Sequence, residues 1–314
     1  MSIVACIGAG TVGRAWAVVF ASAGHTVRLY DTSPSEIRER ALPGSRTSLE
    51  LLAENGLLNE PVEKVFARIE VAETIAAAVA GAIHVQESVR EDVEVKRQVF
   101  AEIAAHASEQ AILASSTSAL PGSTFLLDIA APERALVVHP VNPPSLIPLV
   151  ELCGTGLTSA GTIEQVRQFM LSAGMRPIVL KKEIDGFILN RLQFTLVAEA
   201  LHLVGEGYCT PDDIDAVLKD GLALRWASIG PFEVAHLNAP DGLQGFVDRL
   251  GPMMRQLGKS ARTDYAWTDK QARDIHTELE GRIALSSIGE RQSWRDRRIM
   301  ALRRMKRDVP DPLD

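Results

Sequence analysis

Five apolar residues, Ile3-Val4-Ala5-Cys6-Ile7, run directly into Gly8-Ala9-Gly10-Thr11-Val12-Gly13 and then into a helix-like stretch over residues 12–23. A continuous apolar run bounded by glycines reads as a strand buried on both faces. A second strand, Thr26-Val27-Arg28-Leu29-Tyr30, completes a βαβ unit. Each glycine has its own task there: Gly8 permits a tight turn, Gly10 lets the backbone approach a pyrophosphate, and Gly13 lets helix and strand pack closely. The helix N-terminus supplies unpaired N–H groups to the anion, so no lysine is needed. Asp31 ends the second strand, 21 residues beyond Gly10. A carboxylate at that place accepts hydrogen bonds from both ribose hydroxyls and repels a 2'-phosphate, which predicts NAD rather than NADP. The competing reading is a glycine turn with Asp31 capping its loop. FAD binding uses the same glycines, but no second long segment is present to hold a flavin.

Further strand-like segments recur at residues 82–86, 111–114, 135–138, 148–152 and 177–180, with helical patterns between several of them. The expected fold is α/β, a Rossmann-type doubly wound, mostly parallel sheet. From Gly186 onward the strand signal fades, and residues 187–206 and 211–219 read as amphipathic helix. The expected domains are therefore residues 1–184, binding the dinucleotide, and 185–314, all-α. A chain of 314 residues with 46% hydrophobic and 23% charged residues has the composition of a globular protein, which excludes disordered and collagen-like classes.

The net charge of -7 disfavours a broad surface for nucleic acid or anionic lipid. Residues 291–307 run against this, with seven arginines and one lysine against Asp296 alone. Either this tail binds nucleic acid, or it is a surface helix that turns Trp294, Leu302 and Met305 inward and pairs its arginines with acids. The second is the expectation. Cys6, Cys153 and Cys209 are scattered, with neither metal-ligand spacing nor a pairing framework, so no metal is expected and a reducing compartment is. The N-terminus lacks a basic n-region, and residues 76–85, the longest apolar candidate, are too few to cross a bilayer. The expectation is a cytoplasmic protein without a membrane span.

Reacting groups in such a fold belong where later strands end. His139 ends an apolar strand, before a loop stiffened by Pro140, Pro143, Pro144 and Pro148. Glu151 lies between Val150 and Leu152, and a carboxylate in apolar surroundings needs a partner. Paired, the two make a dyad: the carboxylate selects the imidazole tautomer and the other ring nitrogen takes a hydroxyl proton. A hydrogen-bonded loop histidine is the alternative. Ser115-Ser116-Thr117-Ser118 clusters hydroxyls at the same sheet edge, either to hold a substrate oxygen or to cap a turn. Asn190 is an amide in an apolar first turn and needs a polar partner. Glu87, Glu91 and Lys96 bracket another helix start, where Asp92 and Lys96 also fit a plain surface pair.

Taken together these motifs resemble the L-3-hydroxyacyl-CoA dehydrogenase superfamily, and most closely its λ-crystallin / L-gulonate 3-dehydrogenase branch. The resemblance runs over nearly the whole chain. It includes the glycine loop, Gln86-Glu87-Ser88 with Glu91-Asp92, Ser115 to Ser118, His139-Pro140-Val141-Asn142-Pro143-Pro144, Ile147-Pro148-Leu149-Val150-Glu151 and Gly186-Phe187-Ile188-Leu189-Asn190-Arg191. Gly221-Leu222, Ile229-Gly230-Pro231 and His236-Leu237-Asn238 continue it. The resemblance implies that His139 is the general base, Glu151 its partner, and Ser118 and Asn190 the groups that bond the reacting oxygen. It also implies NAD contacts from Thr11, Val12, Asp31, Glu91 and Lys96, with Asn142 near the nicotinamide end, and a homodimer through the helical domain.

The branch acts on a free sugar acid, whereas the wider family oxidises CoA thioesters. Residues 41–60 offer only Arg46 against Glu50, Glu54 and Glu60, a poor reception for a CoA phosphate. Arg225 is the candidate to grip a small carboxylate bidentately. The expected function is NAD-dependent oxidation of the 3-hydroxyl of a small hydroxy acid, with L-gulonate first. A 3-hydroxyacyl-CoA, 3-hydroxybutyrate or carnitine dehydrogenase is the enzymatic alternative, and a noncatalytic NAD-binding structural protein the alternative of another class.

Overall fold

The structure, a computed structural model, describes residues 2–312. It packs as two compact units, the first made of residues up to Asn190 together with those from Ser293 onward, the second of Arg191–Gln292. The turn at 185–190 and most of the last helix lie with the first unit.

Strands β1 (Ile3–Ile7), β2 (Thr26–Tyr30), β3 (Ile69–Val71), β4 (Ala82–Glu87), β5 (Ile112–Ser115), β6 (Ala135–Pro140), β7 (Leu149–Gly154) and β8 (Arg176–Val179) form one sheet. Their order is β3-β2-β1-β4-β5-β6-β7-β8. Every pairing is parallel except β6 with β7. The doubly wound, mostly parallel sheet is therefore as expected, with strand ends displaced by one or two residues. β3 escaped the sequence reading because Ile69-Glu70-Val71 is too short to show a period. β1 sits between β2 and β4, so crossovers leave it in opposite directions and a crevice opens at its carboxyl end.

The apolar run of β1 follows from burial on both faces: Val4 and Cys6 join one core cluster, Ala5 and Ile7 the other. Helix α1 (Thr11–Ser22) covers the first face, where Trp16 and Phe20 stack with ring centroids 5.1 Å apart. Around them lie Leu29, Leu49 from α2 (Leu42–Glu54), and Val138. On the other face Phe100 and Ile103 of α3 (Val93–His106) pack on Val85 and Leu113. Helix α4 (Ala160–Ser172) returns to the first face through Val166 and Met170. Among the described residues no helix is long and apolar enough to cross a membrane.

In the second unit the expected helices appear, and no strand is present among its described residues. Helix α5 (Leu189–Gly205) leads into it. Thr210 starts α6 (Pro211–Ala216) with a reciprocal bond to Asp213, so two orphan donors are satisfied at once. Then follow α7 (Ala223–Trp226), α8 (Pro231–Leu237), α9 (Gly242–Leu257) and α10 (Asp269–Arg282).

The last helix, α11 (Ile288–Asp308), corrects the expectation for the basic tail. Trp294, Leu302 and Met305 are 41%, 40% and 43% exposed, whereas Met300 is fully buried in the first unit's core beside Ile299. Arg303 and Arg307 lie on the same stripe and donate to the carbonyls of Ser145 and Gly56 at 2.8 and 2.6 Å. A stripe with arginines among its members does not register as apolar, which is why hydrophobic spacing pointed to the wrong face.

His84 on β4 is buried against Phe169, ring centroids 4.7 Å apart, with Nε2 3.0 Å from the Gln86 amide oxygen. Burial pushes its pKa down from 6.5 to about 4, against the opposing bond to Gln86. The unfolded chain therefore binds the extra proton in that window. Stability from this group is complete above pH 6.5 and is lost as pH falls towards 4, by up to a few kcal/mol, on the order of 1.4 kcal/mol per pKa unit. Urea unfolding at stepped pH should show a shallower acid loss in His84→Asn than in the parent; equal slopes would exclude His84 as the cause.

Candidate functional site

Gly8 has φ +101°, and a Cβ on it would lie 2.6 Å from the Ser88 carbonyl oxygen. At Gly13 a Cβ would overlap the Gly8 carbonyl. Both glycines are demanded by the protein's own backbone. Gly10 differs, because a Cβ there would meet nothing within 4 Å. It caps α1 without a side-chain bond, and no acid stands in the first turn, so the helix N-terminus is left to an external anion. Thr11 is exposed and Val12 half-buried at this end.

Asp31 accepts the Ala9 N–H on Oδ2 at 2.8 Å and the Ser33 N–H on Oδ1 at 3.1 Å. It ties the glycine loop to the end of β2, so the loop-capping role is present. It also lines a cleft of about 500 Å³ with Gly8, Gly10, Tyr30, Ser88 and Val89. Open space at Gly10, an uncapped helix end and a carboxylate at the cleft wall are the donor and acceptor set that a pyrophosphate and an adenosine ribose require.

At the end of β4, Glu87 is fully buried and accepts from Lys96 at 2.9 Å, from the Ser115 hydroxyl at 2.5 Å and from the Val89 N–H at 2.7 Å. Burial pushes its carboxyl up, against the pull of Lys96 and Ser115. Lys96 also lies 3.3 Å from Glu91 and is itself 1% exposed. The plain alternative, an Asp92–Lys96 surface pair, is therefore absent: Asp92 caps α3 through the Val95 N–H at 3.0 Å. Nor does Lys96 present its ammonium outward. Glu91 does reach the surface, and its Oε1 accepts the Thr117 hydroxyl at 2.6 Å and the N–H groups of Ser118 and Ala119 at 2.8 and 3.0 Å. Partial burial works to raise its pKa, but those bonds and Lys96 outweigh it and hold the carboxyl below its usual range.

The hydroxyl run divides accordingly. Ser116 is an interior acceptor, taking the Trp16 indole N–H at 3.1 Å and the Gln86 amide at 2.7 Å. Ser118 alone of the four is exposed. Its carbonyl accepts Asn190 Nδ2 at 2.7 Å, so Glu91 and Asn190 fix its backbone from two sides and bring Ser118 and Asn190 together.

His139 and Glu151 face each other across the antiparallel pair, with Nδ1 and Oε2 2.8 Å apart. The other carboxylate oxygen accepts the N–H groups of Ile188 and Leu189 at 2.9 and 3.1 Å, which open α5. Gly186 and Phe187 precede them with φ of +73° and +52°. For phenylalanine that conformation costs about 1–2 kcal/mol; here it aims both N–H groups at Glu151 and buries the ring beside His139, centroids 5.2 Å apart. Phe187 was missed as a site residue because nothing in a single apolar letter announces a left-handed backbone. Asn142 is exposed in the loop after β6, and Arg225 is exposed on α7 in the second unit.

Known proteins resemble the chain along its whole length. Residues 3–184 match the model of the 3-hydroxyacyl-CoA dehydrogenase NAD binding domain, and residues 186–272 that of the 3-hydroxyacyl-CoA dehydrogenase C-terminal domain. The Bos taurus lambda-crystallin homolog is 38% identical over 98% of this chain and 96% of its own. L-carnitine dehydrogenase of Mesorhizobium japonicum is 33% identical over 96% of this chain and 83% of its own. Among solved structures, that of 5-formyl-3-hydroxy-2-methylpyridine 4-carboxylic acid 5-dehydrogenase, an NAD+-dependent dismutase, matches with a TM-score of 0.77 and 27% identity, covering 97% of this chain and 98% of that one.

The two glycines should separate in mutagenesis. Gly13→Ala is expected to lower unfolding stability by about 1–3 kcal/mol through overpacking, whereas Gly10→Ala should leave stability within about 0.5 kcal/mol and weaken NAD binding in a fluorescence titration. Tight NAD binding by Gly10→Ala would remove the pyrophosphate from that position.

Proposed function

The chain belongs to the 3-hydroxyacyl-CoA dehydrogenase family and is an NAD-dependent oxidoreductase acting on a hydroxy acid, and from that premise we propose that its substrate is L-gulonate, oxidised at the 3-hydroxyl to 3-dehydro-L-gulonate. NAD, when bound, supplies the acceptor for the hydride that leaves C3. Glu151 holds the Nδ1–H of His139, so Nε2 carries the lone pair that takes the hydroxyl proton, and the carboxylate then stabilises the imidazolium. The Ser118 hydroxyl and the Asn190 amide hold the reacting oxygen. Gly8, Gly10, Thr11, Val12, Gly13 and Asp31 hold the adenosine and pyrophosphate, with Glu91 and Asn142 towards the nicotinamide end. Lys96 acts through Glu91.

The observation that carries the reading is the buried pair, with both carboxylate oxygens of Glu151 engaged, one by His139 and one by two helix N–H groups. Against a CoA ester stands Arg46, the sole cation of residues 41–60, already paired with Glu63 and lying 4.3 Å over the Phe66 ring. Arg225 is the group assigned to the substrate carboxylate, and Arg225→Met should raise the KM for gulonate. The reading includes a cytoplasmic homodimer assembled through residues 185–314; the free state of Cys6, Cys153 and Cys209 is in keeping with a reducing compartment.

The test is NAD reduction with L-gulonate, L-3-hydroxybutyryl-CoA and L-carnitine at equal concentrations. Gulonate is expected to be turned over fastest; preference for the CoA ester or for carnitine would keep the dyad and replace the substrate. His139→Gln should lower kcat by on the order of 10²–10⁴ while NAD still binds. Loss of NAD binding in the same variant would make the histidine structural.

A further inference from the structure

We propose that helix α11 belongs to the apparatus that aligns the His139–Glu151 pair, and that Arg303 is its positioning residue, acting through the loop that joins β6 to β7. The inference rests on the role given to the pair above. That pair is made by two strands whose connection, residues 141–148, determines how they register. Within it the N–H groups of Leu146 and Ile147 both donate to the Pro143 carbonyl, at 2.9 and 3.0 Å, forming a tight turn. The turn leaves the Ser145 carbonyl without a place in the sheet, although Ser145 is buried. Such a carbonyl needs a donor, and Arg303 Nη1 supplies it at 2.8 Å.

The contact has an apolar half. Leu146 belongs to the same core cluster as Met300 of α11, together with Val138 and Val150, which are the neighbours of His139 and Glu151 along their strands. One face of the helix therefore places Met300 in the core that Leu146 also joins and bonds the loop backbone with Arg303, three residues on. Arg303 does this where a cation is hard to keep: burial pushes its pKa down. It lines a cavity of about 230 Å³ shared with Ser22 and Ala23 at the end of α1 and with Ser172, Ala173 and Gly174 at the end of α4. Arg307 anchors the helix a turn later on the Gly56 carbonyl, at a different loop. Fixing at Gly56 and bonding at Ser145 are thus separable.

The experiment compares Arg303→Met, Arg303→Lys and Arg307→Met with the parent, all with NAD bound. Arg303→Met is expected to lower kcat on the order of tenfold, as small misplacements do, with the NAD dissociation constant within about twofold of the parent. Arg303→Lys, which keeps a charged donor, should recover most of that loss, and Arg307→Met should keep the parent kcat. An unchanged kcat in Arg303→Met overturns the proposal, as does a loss that Arg307→Met reproduces in full or that Arg303→Lys does not relieve. Amide hydrogen exchange provides a readout free of any substrate: residues 141–148 should exchange faster in Arg303→Met while residues 8–13 keep the parent rate. Unchanged protection at 141–148 overturns the Arg303 role whatever the substrate is. Retained turnover in His139→Gln would instead overturn the role of the dyad.

Discussion

The antiparallel pairing of β6 with β7 is the constraint on which the site depends. In a parallel pair, residues near the carboxyl end of one strand lie beside the carboxyl end of the next, and long crossovers separate them in sequence. Reversing one strand brings His139 and Glu151 into direct register through a short proline-rich loop. Their side chains then point to the same face, with Cβ atoms close enough for a single hydrogen bond. A one-residue slip would send Glu151 to the opposite face and leave a buried carboxylate without a partner, so the hydrogen-bonded pair and the register protect one another. The N–H groups of Ile188 and Leu189 satisfy the remaining oxygen and tie the start of α5 to the same carboxylate.

A second buried charge cluster organises the neighbouring edge. Glu87 and Lys96 are both enclosed, and between them they hold Val89, Ser115 and Glu91. Removing one member of such a pair typically costs about 3–5 kcal/mol, because the other is left buried and charged. Its value here is placement. Glu91 transmits the constraint to the N–H groups of Ser118 and Ala119, and Asn190 bonds the Ser118 carbonyl from the other side. Two loops that carry no regular structure are thereby fixed next to the glycine cleft.

The NAD-binding character follows from features that are local in sequence: glycines at fixed spacing after a buried strand, an acid at the end of the next strand, and helix afterwards. The same locality explains which expectations needed correction. Helix spacing alone also allowed Lys96 a plain surface pairing with Asp92, but the fold encloses Lys96 between Glu87 and Glu91 and gives Asp92 to the helix cap. Met300, not Trp294, Leu302 or Met305, turned inward, because the buried stripe of α11 includes Arg303 and Arg307, whose charges mask it in any hydrophobic count.

What the sequence alone determined was the βαβ start and the NAD-binding character, with His139 and Glu151 as a candidate pair, since each rests on residue type and short spacing. Only the tertiary structure decided that Glu151 has both oxygens engaged, that Phe187 adopts a left-handed backbone against His139, that Ser116 is an interior acceptor while Ser118 is exposed, and that the last helix packs on the first unit. Those outcomes depend on contacts between residues far apart in the chain, from 37 residues for Ile188 and Glu151 to 251 for Arg307 and Gly56. Burial then makes each unpaired polar group costly, and it is that cost, exerted only in the folded chain, which selects the partners.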